Sequence, residues 1–144
     1  MKILIMGLPG SGKTTLAREL AYHFNLPHFN ADTVREHFDD WDFTEEGRMR
    51  QAKRMSEYWG ILDFVCPKND FIKMVDPDFL IWMDAIDEGR FEDTNKLFEK
   101  PSLYNMRITE WIGVDELRNS LADFNPGTKG IQNFLKERLP KLVK

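Results

Sequence analysis

Residues 7–14 read GLPGSGKT and follow the short apolar run KILIM at residues 2–6. The run predicts a strand buried on both faces, and the spacing of Leu16, Leu20 and Phe24 predicts an amphipathic helix directly after the glycines. A strand, a glycine-rich turn and a helix in this order place a nest of backbone N–H groups at a helix N-terminus, where phosphate binds. The stretch therefore predicts an α/β fold built around a phosphate-binding loop.

The octapeptide fits the P-loop pattern G-x-x-x-x-G-K-[ST] in full. In that pattern Lys13 reaches the β- and γ-phosphates of a nucleoside triphosphate, and the Thr14 hydroxyl binds Mg²⁺. We therefore expect ATP and Mg²⁺ as cofactors and Lys13 as a catalytic residue. The predicted nucleotide-binding residues are Gly7, Leu8, Pro9, Gly10, Ser11, Gly12, Lys13, Thr14 and Thr15.

The composition narrows the class of protein. A chain of 144 residues fits one domain, and its net charge of −4 argues against a general binder of nucleic acid or anionic membranes. No apolar run approaches the roughly 20 residues that span a membrane, and the apolar start is too short for a signal peptide. The single cysteine, Cys66, suits a reducing compartment, so we expect a cytoplasmic protein.

Apolar and amphipathic stretches alternate along the rest of the chain. Further strands are predicted at 27–30, 61–66, 78–84 and 104–109, and helices at about 32–38, 44–59, 69–75, 114–123 and 127–142. Asp32 or Thr33 is predicted to cap the second helix, Gly60 to end the third, and Trp59 and Trp82 to fill the core. The alternation predicts one domain over residues 1–144 with a five-stranded, mainly parallel sheet and helices on both faces, the P-loop NTPase fold.

A P-loop alone does not separate kinases from GTPases and ATPases, although the chain lacks the guanine-reading sequence N-K-x-D. A local cationic cluster in an acidic protein favours an anionic acceptor. Taken one at a time, its residues could instead lie on a solvated face of the helix without binding a ligand. The cluster consists of Arg48, Arg50, Lys53 and Arg54.

Several motifs together resemble adenylylsulfate (APS) kinase. That family reads G-L-S-G-S-G-K-S-T, D-G-D-N-V-R and G-F-S-x-x-D-R-x-x-N-I-R-R, where this chain has GLPGSGKTT, NADTVR and DFTEEGRMRQAKR. The family's I-S-P after the third strand matches Val65-Cys66-Pro67, and its lid F-T-G-I-x-x-P-Y-E-x-P matches FEDTNKLFEKP at residues 91–101. The resemblance covers roughly residues 1–109.

The resemblance implies transfer of the γ-phosphoryl group of ATP to the 3′-hydroxyl of APS, which gives PAPS. Asp32 would orient or deprotonate that hydroxyl as a second catalytic residue, and would hold Mg²⁺ together with Thr14. Arginine forks would grip the phosphosulfate and two aromatic rings would stack on the adenine. The implied substrate-binding residues are Asp32, Arg35, Phe43, Arg48, Gln51, Cys66 and Phe91.

Some of these residues have simpler alternatives. Phe43 also suits a hydrophobic staple on the following helix, and Phe91 and Phe98 could both pack into the core. If residues 85–104 are a lid, then Phe98, Glu99 and Pro101 are expected to anchor it.

The chain departs from the family at several positions. The first aspartate of D-G-D is Asn30, and the aspartate before Arg48 is Gly47. Only six residues separate Asp84 from Phe91, so the lid lacks the family's basic R-D-P-K-G-L-Y. The cations available to replace it are Arg90, Lys96 and Lys100.

Other readings stay open at this point. Asp63 and Asp84 are further candidates for the metal site, with a strand-end cap or a loop hydrogen bond as the alternative. The acceptor could be another hydroxyl, such as a 5′-hydroxyl nucleic-acid end, or the protein could bind nucleotide with a degenerate active site. We expect a small nucleotide, APS, as the partner and neither nucleic acid nor membrane, and a homodimer is allowed.

Overall fold

The computed structural model describes residues 1–89, 91–110, 114–122 and 126–142. Its described strands form one parallel sheet in the order β2-β3-β1-β4-β5. The strands are β1 (Lys2–Met6), β2 (His28–Asn30), β3 (Gly60–Asp63), β4 (Phe79–Met83) and β5 (Met106–Ile108). This arrangement confirms the predicted five-stranded sheet of the P-loop NTPase fold.

Helices connect the strands and follow the sheet. They are α1 (Lys13–Phe24), α2 (Ala31–Phe38), α3 (Glu45–Ser56), α4 (Asn69–Val75), α5 (Glu92–Leu97), α6 (Val114–Ala122), α7 (Pro126–Asn133) and α8 (Leu139–Leu142), with a π-helical turn at Phe134–Arg138 between the last two. Position 123, predicted to end the sixth helix, lies outside the described residues. None of the helices in the described part of the chain is long and apolar enough to cross a membrane.

The sheet buries both of its faces, which explains the unbroken apolar run in β1. Ile3 and Ile5 pack with α1, α6 and the π-helical turn, whereas Leu4 and Met6 pack with α2, α3 and α4. Successive side chains of a strand point to opposite faces, so a strand buried on both faces is apolar along most of its length. The prediction of helices on both faces is therefore confirmed.

The register of the central strands positions the loops that follow them. Ile5 of β1 is aligned with Asp63 of β3, and Met6 is aligned with Trp82 of β4. The carboxyl ends of these parallel strands therefore meet at one edge of the sheet, which is where ligands bind in such folds. Gly7 and Asp84 follow β1 and β4 at this same edge.

Three local predictions were wrong. Asn30, rather than Asp32 or Thr33, caps α2, because its side-chain oxygen accepts the N–H groups of both residues at 3.0 and 3.2 Å. Gly60 begins β3 instead of ending α3, which stops at Ser56. Trp59 is 65% exposed and lies outside the core, whereas Trp82 is buried as predicted.

Candidate active site

The phosphate loop joins β1 to α1 and approaches β4 closely. Gly7 has a φ of 148°, and a Cβ at this position would lie 2.4 Å from the carbonyl oxygen of Met83. Gly12 caps α1 in a left-handed conformation without a side-chain hydrogen bond. The first N–H groups of this twelve-residue helix are therefore left for an anion to bind.

Two side chains of the loop are buried beneath it. The Lys13 ammonium donates a hydrogen bond to the Leu8 carbonyl at 3.0 Å, which ties the ends of the loop together. The Ser11 hydroxyl is also buried and has no hydrogen-bond partner among the described residues. The loop therefore contains one buried hydroxyl, that of Ser11, without a hydrogen-bond partner in the part of the chain that the structure describes.

A buried carboxylate, Asp63, lies directly beside the loop. Its Oδ2 accepts hydrogen bonds from the Thr14 hydroxyl at 2.6 Å and from the Asn30 amide at 2.9 Å, and it lies 3.3 Å from Nε2 of His28. Burial raises the pKa of the Asp63 carboxyl. The bonds from His28, Thr14 and Asn30 and the charge of Lys13 outweigh this effect, and the pKa falls below its ordinary value. Asp63 is therefore ionised at neutral pH.

Asp63 and the Thr14 hydroxyl beside it fit a magnesium ion. Oδ1 of Asp63 is buried and has no hydrogen-bond partner among the described residues, although it belongs to an ionised carboxylate. Mg²⁺ binds such oxygens through one or two protein groups and takes its other ligands from water and substrate phosphates. No cluster of three or more His, Cys, Asp or Glu side chains that could hold a metal occurs in the described ranges.

The other two aspartates considered for the metal differ from Asp63. The Asp84 carboxylate accepts hydrogen bonds from Arg107, at 2.8 Å from its Nε, so its charge is already paired. Asp32 lies exposed at the start of α2 and lines the cleft described below. Its assignment as a catalytic and metal-binding residue stays a prediction.

A cleft of about 560 Å³ extends from the phosphate loop across the edge of the sheet. It brings together most of the side chains that the sequence predicted for the acceptor, along with others that the sequence did not predict. The lining residues are Pro9, Gly10, Lys13, Thr14, Asn30, Ala31, Asp32, Arg35, Trp41, Phe43, Arg48, Asp63, Phe64, Val65, Pro67, Phe91, Asp93 and Thr94.

Phe43 lies next to both arginines predicted to bind the acceptor anion. The guanidinium of Arg35 lies over its ring at 4.3 Å from the centroid, and that of Arg48 at 5.4 Å. Nη1 of Arg35 donates to the carbonyls of Asp40 and Asp42, and Nε of Arg48 donates to the carbonyl of Phe43. Arg48 stands four residues after the Thr44 cap, where a staple partner belongs, so a cation–π contact replaces the hydrophobic staple.

The remaining arginines of the cluster are neutralised outside the cleft. Arg50 donates to the carboxylates of Asp40 and Asp42, and Arg54 donates to that of Asp40 at 2.8 Å. Gly47 is required here, since a Cβ would lie 2.2 Å from the carbonyl oxygen of Asp42. Aspartates within the turn between α2 and α3 therefore take up the charge of these two arginines.

The hydrogen bonds of this turn depend on pH. Hydrogen bonds from Arg50 and Arg54 hold the pKa of Asp40 well below its usual range, and Thr44 and Arg50 lower the pKa of Asp42 to about 2. A depressed carboxyl pKa stabilises the fold above the unfolded value of about 4, and the stabilisation is lost as the pH falls below it. We expect the urea midpoint of Asp40→Asn to lie below that of the wild type at pH 7, with the gap narrowing progressively as the pH falls below about 4. Exposed Asp70→Asn controls for loss of a negative charge, and a gap that stays constant with pH would contradict the assignment.

The segment predicted as a lid, residues 85–104, contains the short helix α5, which the sequence analysis missed. Phe91 caps this helix and is 60% exposed, and Asp93 and Thr94 line the cleft beside it. Phe91 is therefore a surface ring at the cleft and not a core residue. The Asn95 side chain forms hydrogen bonds with both the N–H and the carbonyl of Gly89, at 2.7 and 3.1 Å. Arg90 lies outside the described residues.

The end of this segment is anchored as expected. Phe98 packs on the α3 side of the sheet, and Pro101 is buried. The Glu99 N–H donates to the Pro67 carbonyl at 2.7 Å, and Asn69 exchanges hydrogen bonds with Glu99, Lys100 and Ser102.

Two predicted substrate-binding residues do not line the cleft. Cys66 is fully buried, and burial raises the pKa of its thiol. Gln51 is buried as well, and its amide donates to the Ala31 carbonyl at 2.7 Å. Both side chains are therefore buried behind the residues that line the cleft.

Trp41, Asp93 and Thr94 line the cleft but were not predicted from the sequence, and the sequence gives Asp63 no precedence over Asp84. For Trp41 a signal was present: it stands two residues before Phe43 in the short acidic stretch DDWDF. Residues two apart in an extended segment lie on the same side of it. Asp93 and Thr94 had no comparable signal, because α5 was not predicted.

Comparison with known proteins supports the fold. Residues 3–107 match the sequence model of the family described as AAA domain. No curated protein matches the chain in sequence. The APS kinase of Mycobacterium tuberculosis, solved with AMPPNP and APS, is similar in structure with a TM-score of 0.64 at 15% identity, over 85% of this chain and 95% of that one.

Two other kinases resemble the chain to a similar degree. The shikimate kinase of Aquifex aeolicus gives a TM-score of 0.58 at 14% identity, over 85% of this chain and 94% of that one. A gluconokinase of Sinorhizobium meliloti gives 0.57 at 12% identity, over 83% and 88%. The chain therefore has the fold shared by these small P-loop kinases.

Proposed function

The chain belongs to the AAA domain family, and from the geometry of its cleft we propose that it is an ATP-dependent P-loop kinase whose leading acceptor is the 3′-hydroxyl of APS. One observation carries the proposal. A single cleft joins Lys13 and Thr14 of the phosphate loop to Asp32 and to the pair Arg35 and Arg48. A donor phosphate and an acceptor hydroxyl can therefore meet in one site.

On the donor side, the chain supplies positive charge and a place for the metal. Lys13 neutralises charge on the transferring phosphoryl group, and the N–H groups at the start of α1 bind the phosphates. Thr14 and Asp63 would hold Mg²⁺, directly or through water. When bound, Mg²⁺ supplies charge neutralisation across the phosphate oxygens.

On the acceptor side, Asp32 orients the hydroxyl and receives its proton, since its carboxylate has no hydrogen bond to another described residue. Arg35 and Arg48 remain charged at neutral pH, although burial lowers the pKa of both. Their guanidinium groups favour a sulfate, phosphate or carboxylate on the acceptor. Carboxylate acceptors, such as those named by the shikimate kinase and gluconokinase neighbours, are the second candidates.

A polynucleotide acceptor is less well supported. That alternative needs an open groove with free cations along it, and Arg50 and Arg54 are paired with Asp40. The reading as a degenerate nucleotide-binding protein loses some of its support as well, because the shortened lid segment is folded and contributes Phe91 to the cleft.

The test is ADP release from ATP and Mg²⁺ with each acceptor in turn. We expect release that depends on APS, and a fall in kcat of about 100-fold or more in Asp32→Asn, because general-base catalysis contributes about 10²- to 10⁴-fold. Asp32→Asn keeps the size of the side chain, and its affinity for ATP should be unchanged. Asp70→Asn, at an exposed position of α4 outside the cleft, is the matched control.

The other acceptors decide between the alternatives. Release stimulated by shikimate, gluconate or a 5′-hydroxyl oligonucleotide but not by APS would replace the leading acceptor. Tight ATP binding without turnover on any of them would overturn the proposal of a kinase.

A further inference from the structure

Trp41 is a large apolar side chain held at the mouth of the cleft. It lines the cleft and is 49% exposed. Among the described residues its indole stacks on no aromatic ring and on no cation. Unlike the exposed Trp59, which lies outside the cleft, Trp41 therefore offers a ring face to a ligand bound in the cleft.

The backbone on both sides of Trp41 is fixed by charged groups. Arg35 donates to the carbonyl of Asp40 at 2.8 Å and to that of Asp42 at 3.1 Å. Arg50 bonds the carboxylates of both aspartates, and Arg54 bonds that of Asp40. Charge-assisted bonds of this kind are strong and directional. Trp41 is therefore presented on a pre-ordered turn, which lowers the conformational entropy lost when a ligand binds to it.

The neighbouring ring is less available for a ligand. Arg35 lies over Phe43 at 4.3 Å from the ring centroid and is fixed there by its two carbonyl bonds. A planar ligand that stacked on this side of Phe43 would have to displace that guanidinium. Trp41 and Phe91 carry no such group in the described structure, and both are about half exposed in the same cleft.

We propose that Trp41 is a specificity-determining residue whose indole stacks on a planar aromatic group of the acceptor, such as a purine base. The inference rests on the proposed kinase function and deepens it, since it assigns the acceptor to the nucleotide class rather than to saturated-ring or open-chain hydroxy acids. Stacking is specific to that class, because it needs a flat π-face of about the same size.

Binding measurements test the inference without requiring turnover. The probes are APS and adenosine 5′-monophosphate, titrated by calorimetry into the protein with AMPPNP and Mg²⁺ present to fill the nucleotide site. Trp41→Ala is expected to raise the dissociation constant of both by about 5- to 150-fold, the range for loss of one stacking ring. Trp41→Phe should restore most of the affinity. Trp59→Ala, which removes an exposed tryptophan outside the cleft, should bind as the wild type does.

The outcomes separate this inference from the proposed function. Unchanged affinity in Trp41→Ala would overturn the inference, as would failure of the wild type to bind either probe. Equal weakening of shikimate or gluconate binding would also overturn it, since those acceptors have no aromatic face. Binding that depends on Trp41 without any APS-dependent turnover would leave the inference intact and overturn only the proposed kinase activity.

Discussion

Replacing Lys13 with methionine is expected to lower kcat for phosphoryl transfer by about 100- to 1,000-fold, the usual loss when one group that stabilises transition-state charge is removed. Methionine fills a similar volume at this position, which is only 7% exposed, but carries no charge. The affinity for ATP should fall less than kcat. Steady-state kinetics with saturating Mg²⁺ measure both quantities.

The same substitution at Lys53 provides the control. Lys53 is exposed on α3, outside the cleft, and Lys53→Met should retain wild-type kinetics. Thermal melting of Lys13→Met separates loss of function from loss of fold, because the lysine also bonds the Leu8 carbonyl. A correctly folded Lys13→Met protein with full kcat would remove Lys13 from the catalytic residues.

The second large effect is expected at Asp63. In Asp63→Asn the amide oxygen can still accept the bonds from Thr14, Asn30 and His28, which leaves the NH₂ group at the position of the unpaired Oδ1. An NH₂ group repels a cation. The concentration of Mg²⁺ needed for half-maximal activity should therefore rise by about 10- to 100-fold, as is typical when a group that supports a metal is changed.

Asp84→Asn is the matched variant for this experiment. Both aspartates stand at the carboxyl ends of the two strands that flank β1, but the Asp84 carboxylate is paired with Arg107. Its substitution should leave the Mg²⁺ requirement unchanged. A rise in Asp84→Asn with none in Asp63→Asn would move the metal site from β3 to β4.

The central part of the fold could be predicted because its pattern is strong and local. The run KILIM is β1, and residues 69–75 form α4 with the predicted bounds. Helix α5 was missed because its sequence, EDTNKL, buries only Thr94 and so shows no apolar stripe. Trp59 was assigned to the core on hydrophobicity alone, and its exposure is set by the chain turning into β3 directly after it.

The residues of the candidate site also differ in how far the sequence could predict them. The phosphate loop follows from a contiguous motif, whereas Arg35, Phe43, Arg48 and Phe91 were implied by the resemblance to APS kinase. The choice of Asp63 over Asp84 could not be made, because it depends on hydrogen bonds between residues distant in sequence: Thr14 and Asn30 bond Asp63, whereas Arg107 bonds Asp84. The cap of α2 was uncertain for a related reason, since Asn30, Asp32 and Thr33 are all suitable caps.

The hydrogen-bond donors of Arg35 and Arg48 have a geometric consequence for the acceptor. A guanidinium has five N–H bonds. Arg35 donates both N–H bonds of Nη1 to carbonyls of the turn, so the edge formed by its Nε and Nη2 is left for a ligand. Arg48 donates its Nε–H to a carbonyl, so the edge formed by its Nη1 and Nη2 is left. One arginine thus offers a side-on fork and the other an end-on fork. A tetrahedral oxyanion can accept both forks through different pairs of oxygens, whereas a planar carboxylate has only two oxygens to share between them.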